Sequence, residues 1–170
     1  SEACGEMAQQ EVRGVFVGPM IRENLAFLRE FVTEFQTTGS CFPTSKWAAR
    51  ALSSPLRGER TGKTILELGP GTGSVTIQIL QDMREDDRLT ICEINPRFMS
   101  LLKEKLATDP NFIKHKDRIT FFEGAAQALP EDTTYDVIVC ALPFLNFEIS
   151  TIEEIFTKLK RLSNDKTVMT

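Results

Sequence analysis

The sequence lacks an apolar segment long enough to cross a membrane. A transmembrane helix needs about 20 consecutive apolar residues, and no stretch of the 170-residue chain approaches that length. The N-terminus also lacks the basic and then apolar layout of a secretory signal peptide. We therefore expect a soluble protein of the cytoplasm, and contact with a membrane surface stays open.

The sequence has few cysteines, and none of them form a recognisable pair. Cys4, Cys41, Cys92 and Cys140 lie far apart, without a Cys-x-x-Cys motif, and the last two fall within apolar runs. This spacing excludes a zinc ribbon and disfavours a disulfide framework. We expect a reducing compartment and no metal site.

An excess of positive charge is absent as well. Twenty Lys and Arg residues stand against 24 Asp and Glu residues, which gives a formal net charge of -4 and an isoelectric point near 5.2. Without an overall positive field, a nucleic acid is a disfavoured partner. The 41% of hydrophobic and 26% of charged residues are instead typical of a globular domain with a sizeable core.

Hydrophobic periodicity divides the chain into two parts. Residues 1–60 read as a helical cap segment, and residues 61–170 alternate strands with helices. Strands that are apolar on both faces, such as Val137-Ile138-Val139, indicate a mostly parallel sheet with helices on both faces, an α/β fold. The predicted strands are 64–68, 88–93, 118–122, 135–141 and the beginning of a fifth at 166–170. Three helices are predicted in this part. The first follows Gly73. The second spans about 96–107, and its apolar stripe is Phe98, Leu101, Leu102 and Leu106. The third spans about 150–162, with the apolar residues Ile152, Ile155, Phe156 and Leu159.

The first predicted strand ends in a glycine-rich turn. Residues 67–73 read Glu-Leu-Gly-Pro-Gly-Thr-Gly, and ligands of such sheets bind beyond the carboxyl ends of the strands. Because Ser74 follows Gly73, the turn lacks the G-x-G-x-x-G spacing of nicotinamide-binding chains. Glu93 ends the second strand, 20 residues after Gly73 (93 − 73), where a carboxylate can accept both hydroxyls of a ribose.

This turn, together with Glu93, resembles the class I S-adenosylmethionine-dependent methyltransferases, and the resemblance extends from about residue 64 to the C-terminus. It implies a Rossmann-like fold with S-adenosyl-L-methionine as the cofactor. The glycine turn would hold the methionine end, Glu67 would help to place its ammonium group, Glu93 would bind the ribose and Ile94 would contact the adenine. The residues implied to bind the cofactor are Glu67, Gly69, Pro70, Gly71, Thr72, Gly73, Glu93, Ile94, Gly124, Ala125 and Ala126.

The adenine end departs from the pattern of this family. After the third strand the family often has Gly-Asp-Ala, whose Asp receives the adenine amino group, whereas this sequence reads Gly124-Ala125-Ala126. Backbone groups near Ala125 and Ala126, or the side chain of Gln127, are the alternatives for holding adenine.

Two further motifs suggest other sites and are set aside. Gly62-Lys63-Thr64 resembles the end of a phosphate-binding loop, but Arg57 stands at the required first glycine, and the stretch precedes its strand. His115 lies between a helix and a strand without a second His or Cys nearby, so we expect it in a solvated charged loop.

The end of the fourth strand carries the prediction of the acceptor. DNA and rRNA adenine methyltransferases begin the corresponding tetrapeptide with Asn or Asp, and this sequence has Ala141, which offers no side-chain oxygen. The Ala-Leu-Pro turn is similar to that of the bacterial phospholipid N-methyltransferases, which methylate phosphatidylethanolamine. The resemblance implies that Ala141, Leu142 and Pro143 shape the amine slot and that the ring of Phe144 contacts the methylammonium. A turn that merely closes the strand remains the alternative.

The segment before the sheet also resembles the phospholipid family. A helix at about residues 20–35 carries apolar side chains on more than one face, and Ser45 can cap the helix that follows. In that family this segment closes over the cofactor. One face can pack on the sheet and another can contact lipid, while burial of all these side chains in an ordinary core stays open.

The predicted reaction is in-line transfer of a methyl group from the sulfonium to a neutral amine, and no residue stands out as a base. A phospholipid head group is the favoured acceptor; an rRNA or DNA adenine, a small-molecule amine, and cofactor binding without catalysis are the alternatives. Methyltransferases of this class build seven strands, whereas this sequence ends within the fifth. We therefore expect a fragment without the C-terminal strands, in which strand five has an exposed edge.

Overall fold

A computed structural model describes residues 45–170, which form a five-stranded parallel sheet with helices on both faces. The spatial order of the strands is β3-β2-β1-β4-β5. The strands are β1 (Thr64–Leu68), β2 (Arg88–Glu93), β3 (Ile119–Glu123), β4 (Tyr135–Cys140) and β5 (Ser163–Met169). The helices are α1 (Lys46–Leu52), α2 (Ser74–Asp82), α3 (Pro96–Leu106), α4 (Pro110–His115) and α5 (Ile149–Arg161).

The alternation of side chains along β1 explains why both faces of the sheet are covered. Ile65 belongs to a buried cluster with Ile79 of α2 and Leu102 of α3. Leu66, which points to the opposite face, belongs to a second cluster with Ile155 of α5. The expected parallel sheet, apolar on both sides, is confirmed, and β1 lies at its centre between β2 and β4.

The order of the strands places a crevice at one end of the sheet. The chain runs from β1 outward to β3 and then returns to β4 on the other side of β1. Ligands of open α/β sheets bind at this reversal, beyond the carboxyl ends of the strands. The residues after β1 and after β4 are therefore the ones that line the expected binding crevice.

The predicted bounds agree for β1 and β2 and differ by a few residues elsewhere. The third strand begins at Ile119 because a 3₁₀ turn, Lys116–Arg118, precedes it. The fourth strand ends at Cys140, one residue earlier than predicted. The fifth strand begins three residues earlier than predicted, at Ser163, and its pairing with β4 shifts register between Tyr135 and Val137.

The prediction for His115 is wrong. The side chain of Asp109 accepts hydrogen bonds from the amides of Asn111 and Phe112 and so caps helix α4, which ends at His115. The imidazole is buried, and its Nδ1 lies 3.1 Å from Nη2 of Arg118. Burial, with the neighbouring positive charges of Lys114 and Arg118, lowers the pKa of His115.

In α3 and α5, some of the residues predicted to be buried are exposed, and their neighbours in the sequence are buried instead. Met99, Leu102 and Leu106 are buried in α3, whereas Leu101 is exposed. In α5, Thr151, Ile155 and Leu159 are buried, and Phe156 is 42% exposed. Adjacent residues of a helix lie about 100° apart, so large apolar side chains beside the buried row remain at the surface.

The helix before the sheet begins as predicted. Oγ of Ser45 accepts a hydrogen bond from the amide of Ala48 at 3.2 Å and caps α1. Ala49 of this helix and Leu56 are buried in the same cluster as Ile65. The predicted helix at residues 20–35 and the loop up to residue 44 lie outside the described residues, and the division at residues 60 and 61 stays a prediction.

Candidate cofactor and acceptor site

The glycine turn after β1 has the geometry that the sequence predicts. Gly69, Gly71 and Gly73 all adopt positive φ angles, and the amide of Gly73 donates to the carbonyl of Pro70 at 2.9 Å. The φ of +80° at Gly73 favours glycine, and a Cβ there would lie 2.5 Å from Cδ1 of Leu102, which would have to shift. A Cβ at Gly71 would meet nothing within 4 Å, which leaves open space beside the backbone of the turn.

Backbone hydrogen bonds bring the ends of four strands together. The amide of Gly69 donates to Cys92, that of Gly124 to Glu93 and that of Ala141 to Leu68, each over 2.9 to 3.0 Å. All the predicted cofactor-binding segments therefore meet at the carboxyl edge of the sheet. The predicted acceptor segment, residues 141–144, joins them there.

Glu67 is a buried carboxyl group with one satisfied oxygen. Its Oε1 accepts a hydrogen bond of 3.0 Å from Oγ1 of Thr76, and its Oε2 is buried with no hydrogen-bond partner. Burial raises the pKa of Glu67 to about 8; the bond from Thr76 opposes this rise, and the negative charge of Glu93 adds to it. A buried acceptor without a partner is costly, so the site favours a ligand that donates to this oxygen.

Glu93 lies at the end of β2 and is almost fully buried. Its Oε1 accepts a hydrogen bond of 2.8 Å from the amide of Asn95. Burial raises the pKa of Glu93, and hydrogen bonds from the backbone of Asn95, Gly71 and Ile94 offset part of the rise. The bond from Gly71 ties this carboxylate to the glycine turn.

The segment after β3 offers backbone groups instead of an acid. The carbonyl of Gly124 accepts a weak hydrogen bond from Sγ of Cys92, and Ala126 is buried at the start of a 3₁₀ turn. Nε2 of Gln127 donates to Glu154 of α5 at 3.4 Å. The carbonyls of Ala125 and Ala126 accept hydrogen bonds from the amides of Ala128 and Leu129, and both alternatives for adenine stay predictions.

The predicted acceptor segment follows β4 at the carboxyl edge of the sheet. Ala141, Leu142, Pro143 and Phe144 are all half-buried. The ring of Phe144 stacks on Phe156 with 5.4 Å between centroids, and it meets Phe147 edge-on at 6.1 Å. One face of the Phe144 ring is thus covered by Phe156 of α5, and its contact with a methylammonium stays a prediction.

Sequence reasoning missed two residues that hold this site. Thr76 is fully buried, and its hydroxyl donates a hydrogen bond to Glu67. This hydroxyl is the one polar group among the buried side chains of α2. Nζ of Lys105, on α3, donates to the carbonyl of Thr72 at 2.7 Å and fastens the glycine turn. A polar residue on a buried helical face was the available signal for Thr76, and no local pattern marks Lys105.

These residues fit S-adenosylmethionine. The unpartnered Oε2 of Glu67 suits an ammonium donor, and the open space at Gly71 suits a ligand that passes close to the backbone. Glu93, held beside that turn, suits a ribose diol. The individual roles of these residues remain predictions.

Residues 65–166 match the family described as "Methyltransferase domain". The ornithine lipid N-methyltransferase of Singulisphaera acidiphila is 26% identical over 148 residues, which cover 84% of this chain and 73% of that protein. The ubiquinone/menaquinone biosynthesis C-methyltransferase UbiE of Klebsiella pneumoniae is 30% identical over 90 residues, which cover 52% of this chain and 34% of that protein.

Solved structures share the fold. The glycopeptide N-methyltransferase MtfA in complex with S-adenosylmethionine has a TM-score of 0.61 at 18% identity, over 76% of this chain and 54% of that chain. Precorrin-6y C5,15-methyltransferase from Geobacter metallireducens has a TM-score of 0.56 at 19% identity, over 76% of this chain and 63% of that chain. The chain thus spans about half of MtfA. The match over residues 65–166 shows that the chain belongs to the methyltransferase-domain family, and the strand order and the solved structures show the fold of the class I S-adenosylmethionine-dependent methyltransferases.

Proposed function

We propose that this protein transfers a methyl group to the amine of a lipid head group, with a phospholipid such as phosphatidylethanolamine as the favoured acceptor. The cofactor, when bound, supplies a methyl group already activated on a sulfonium. The residues of the chain then have to bind and orient the two reactants and exclude water. An amine must be neutral to accept the methyl group, and a crevice walled by Leu142, Pro143 and Phe144 favours the neutral form.

The observation that carries the lipid acceptor is an exposed apolar surface beside the predicted amine slot. Leu145, directly after Phe144, is fully exposed, and Ile149 is 75% exposed. Phe156 lies seven residues after Ile149, on the same face of α5, and stacks on Phe144. We call Leu145, Ile149 and Phe156 the apolar rim; it offers acyl chains a surface that continues into the acceptor segment.

Positive charge contributes less to this proposal. Lys158 and Arg161 of α5 both lie within 3.4 Å of Glu131, so these two positive charges are paired within the protein. Apolar contact, rather than attraction to anionic lipid, is the expected basis of membrane binding. No helix among residues 45–170 is long and apolar enough to span a membrane.

Similarity to an ornithine lipid N-methyltransferase supports the same acceptor class. The similarity to a quinone C-methyltransferase covers about half of this chain and supports the family alone. Ala141, which has no oxygen for a base amine, and the net charge of -4 disfavour the adenine alternative.

The test is a transfer assay with three acceptor fractions. The chain is incubated with methyl-labelled S-adenosylmethionine and with vesicles containing phosphatidylethanolamine, with total RNA, or with soluble amines. We expect label in the lipid fraction. Label in RNA alone or in soluble amines alone would replace the lipid proposal, and label in none of the fractions would contradict it.

A pair of variants tests the apolar rim. Leu145→Gln should weaken binding to vesicles about tenfold or more, because burying a leucine side chain in an apolar phase contributes roughly 1.5–3 kcal/mol. Ile113→Gln is the matched control, since Ile113 is 52% exposed on α4, outside the site. Equal binding of the two variants would remove the rim from the proposal.

A further inference from the structure

The structure joins two buried polar groups that sequence reasoning did not connect. Thr76 lies in the first turn of α2, and neither its side chain nor that of Glu67 is exposed. The 3.0 Å hydrogen bond between them crosses from the helix to β1. Threonines within helices often donate to a carbonyl three or four residues earlier, whereas this hydroxyl donates to a carboxyl group nine residues away in the sequence.

The bond makes the two oxygens of Glu67 unequal. Oε1 is held by Thr76, and Oε2 is buried without a partner. A threonine hydroxyl that donates to one oxygen also limits rotation of the carboxyl group. The unpartnered oxygen is therefore kept in a fixed position, which is what recognition of a single donor group requires.

We propose that Thr76 is a positioning residue for the cofactor: its hydroxyl holds Oε1 of Glu67 and reserves Oε2 for the ammonium of the methionine end. This inference rests on the assignment of Glu67 to the ammonium. When that ammonium binds, the proton of the carboxyl group passes to solvent, and the ammonium keeps its own protons.

The electrostatics of the site favour this exchange. Burial raises the pKa of Glu67 to about 8, so near neutral pH the carboxyl group is mostly protonated without a ligand. A cation placed against Oε2 favours the carboxylate, so the ligand and the proton compete. The bond from Thr76 lowers the pKa of Glu67, which makes the proton easier to release.

The first measurement uses the unaltered chain. Calorimetric titration with S-adenosylhomocysteine, in buffers of different ionisation enthalpy near pH 7, should show release of close to one proton per bound ligand. 5′-Methylthioadenosine lacks the amino-acid end and should release none. No difference in proton release between the two ligands would overturn the proposal, whether or not any variant folds.

The second measurement compares Thr76→Val with Thr76→Ser. Valine keeps the shape of threonine and removes the hydroxyl, so the pKa of Glu67 should rise further. If the pKa of Glu67 rises by about one further unit, Thr76→Val should weaken binding of S-adenosylhomocysteine roughly tenfold near pH 7 and only a few-fold near pH 9. Thr76→Ser should restore the affinity and its pH dependence.

The outcomes separate positioning from packing. A residue that merely packs would weaken S-adenosylhomocysteine and 5′-methylthioadenosine alike, by the same factor at every pH, and that result would overturn the proposal. Unchanged affinity in Thr76→Val would overturn it as well. All of these readouts concern the cofactor pocket, so failure of methyl transfer to lipid would leave them standing.

Discussion

Leu142 lies against Gly69, and this contact joins the two halves of the proposed site. A Cβ added to Gly69 would lie 2.8 Å from Cδ2 of Leu142. The glycine turn after β1 and the acceptor segment after β4 are therefore packed against each other at the centre of the sheet. A substitution in one of these segments should therefore displace side chains in the other.

Gly69→Ala should weaken both cofactor binding and methyl transfer. Alanine at a φ of +68° is strained by roughly 1–2 kcal/mol and would also displace Leu142. Gly58→Ala is the matched control, because Gly58 has a φ of +86° and open space around it. Urea unfolding should show a larger loss of stability for Gly69→Ala than for Gly58→Ala, and similar losses would mean that the contact with Leu142 is unimportant.

Glu93→Ala should reduce affinity for S-adenosylmethionine at least about tenfold, since a hydrogen bond to a charged group contributes roughly 1.5–3 kcal/mol. Glu123 occupies the paired position at the end of β3 and is exposed, which makes Glu123→Ala the control. Calorimetry should find the control within about twofold of the unaltered chain. If Glu93→Ala binds as tightly as Glu123→Ala, the ribose is held elsewhere.

Phe144→Ala should impair transfer more than cofactor binding. A cation-π contact contributes roughly 0.5–2 kcal/mol, which corresponds to a loss of about twofold to thirtyfold in kcat/KM for the acceptor. Phe147→Ala removes a ring that contacts Phe144 edge-on, lies outside the apolar rim, and controls for lost packing. If the two variants lose equal activity, Phe144 only supports the fold of the segment.

Because of Glu67, the stability of the protein should fall as the pH rises from about 4.5 to about 8. Its pKa is about 8 in the folded chain and near 4.5 when unfolded, so between these values the folded state holds a proton that the unfolded state has lost. The free energy of unfolding should fall as pH rises, by up to about 1.4 kcal/mol per pH unit from this group. In Glu67→Gln the decline should be smaller, because only the contribution of Glu93 remains, whereas in Glu131→Gln, where the side chain is partly exposed, it should persist in full. Identical pH profiles for all three proteins would contradict the assigned burial of Glu67.

Local sequence patterns were enough to predict that the five strands exist and where β1 and β2 begin and end. The apolar runs of β1 and β2 are bounded by Gly69 and by Asp87 at the turns, so their ends match to the residue. The strand-end positions of Glu67 and Glu93 follow from those bounds and from the parallel order. Local patterns likewise predicted the cap at Ser45, because the capping bond spans only three residues.

Interactions between distant residues were beyond such patterns. The bond from Thr76 to Glu67 depends on how α2 packs on β1, and that of Lys105 to Thr72 depends on how α3 crosses the glycine turn. His115 was misplaced because four charged neighbours in sequence suggested solvent, whereas the cap at Asp109 extends a helix that turns the imidazole inward.

The central claim is that the glycine turn binds the methionine end of S-adenosylmethionine, and one comparison tests it directly. Gly71 and Gly58 both adopt positive φ angles and both have open space where a side chain would stand. Calorimetry on Gly71→Arg and Gly58→Arg should show that S-adenosylmethionine binds to the second variant as to the unaltered chain and no longer binds to the first. Equal affinity for both variants would contradict the site described for this protein.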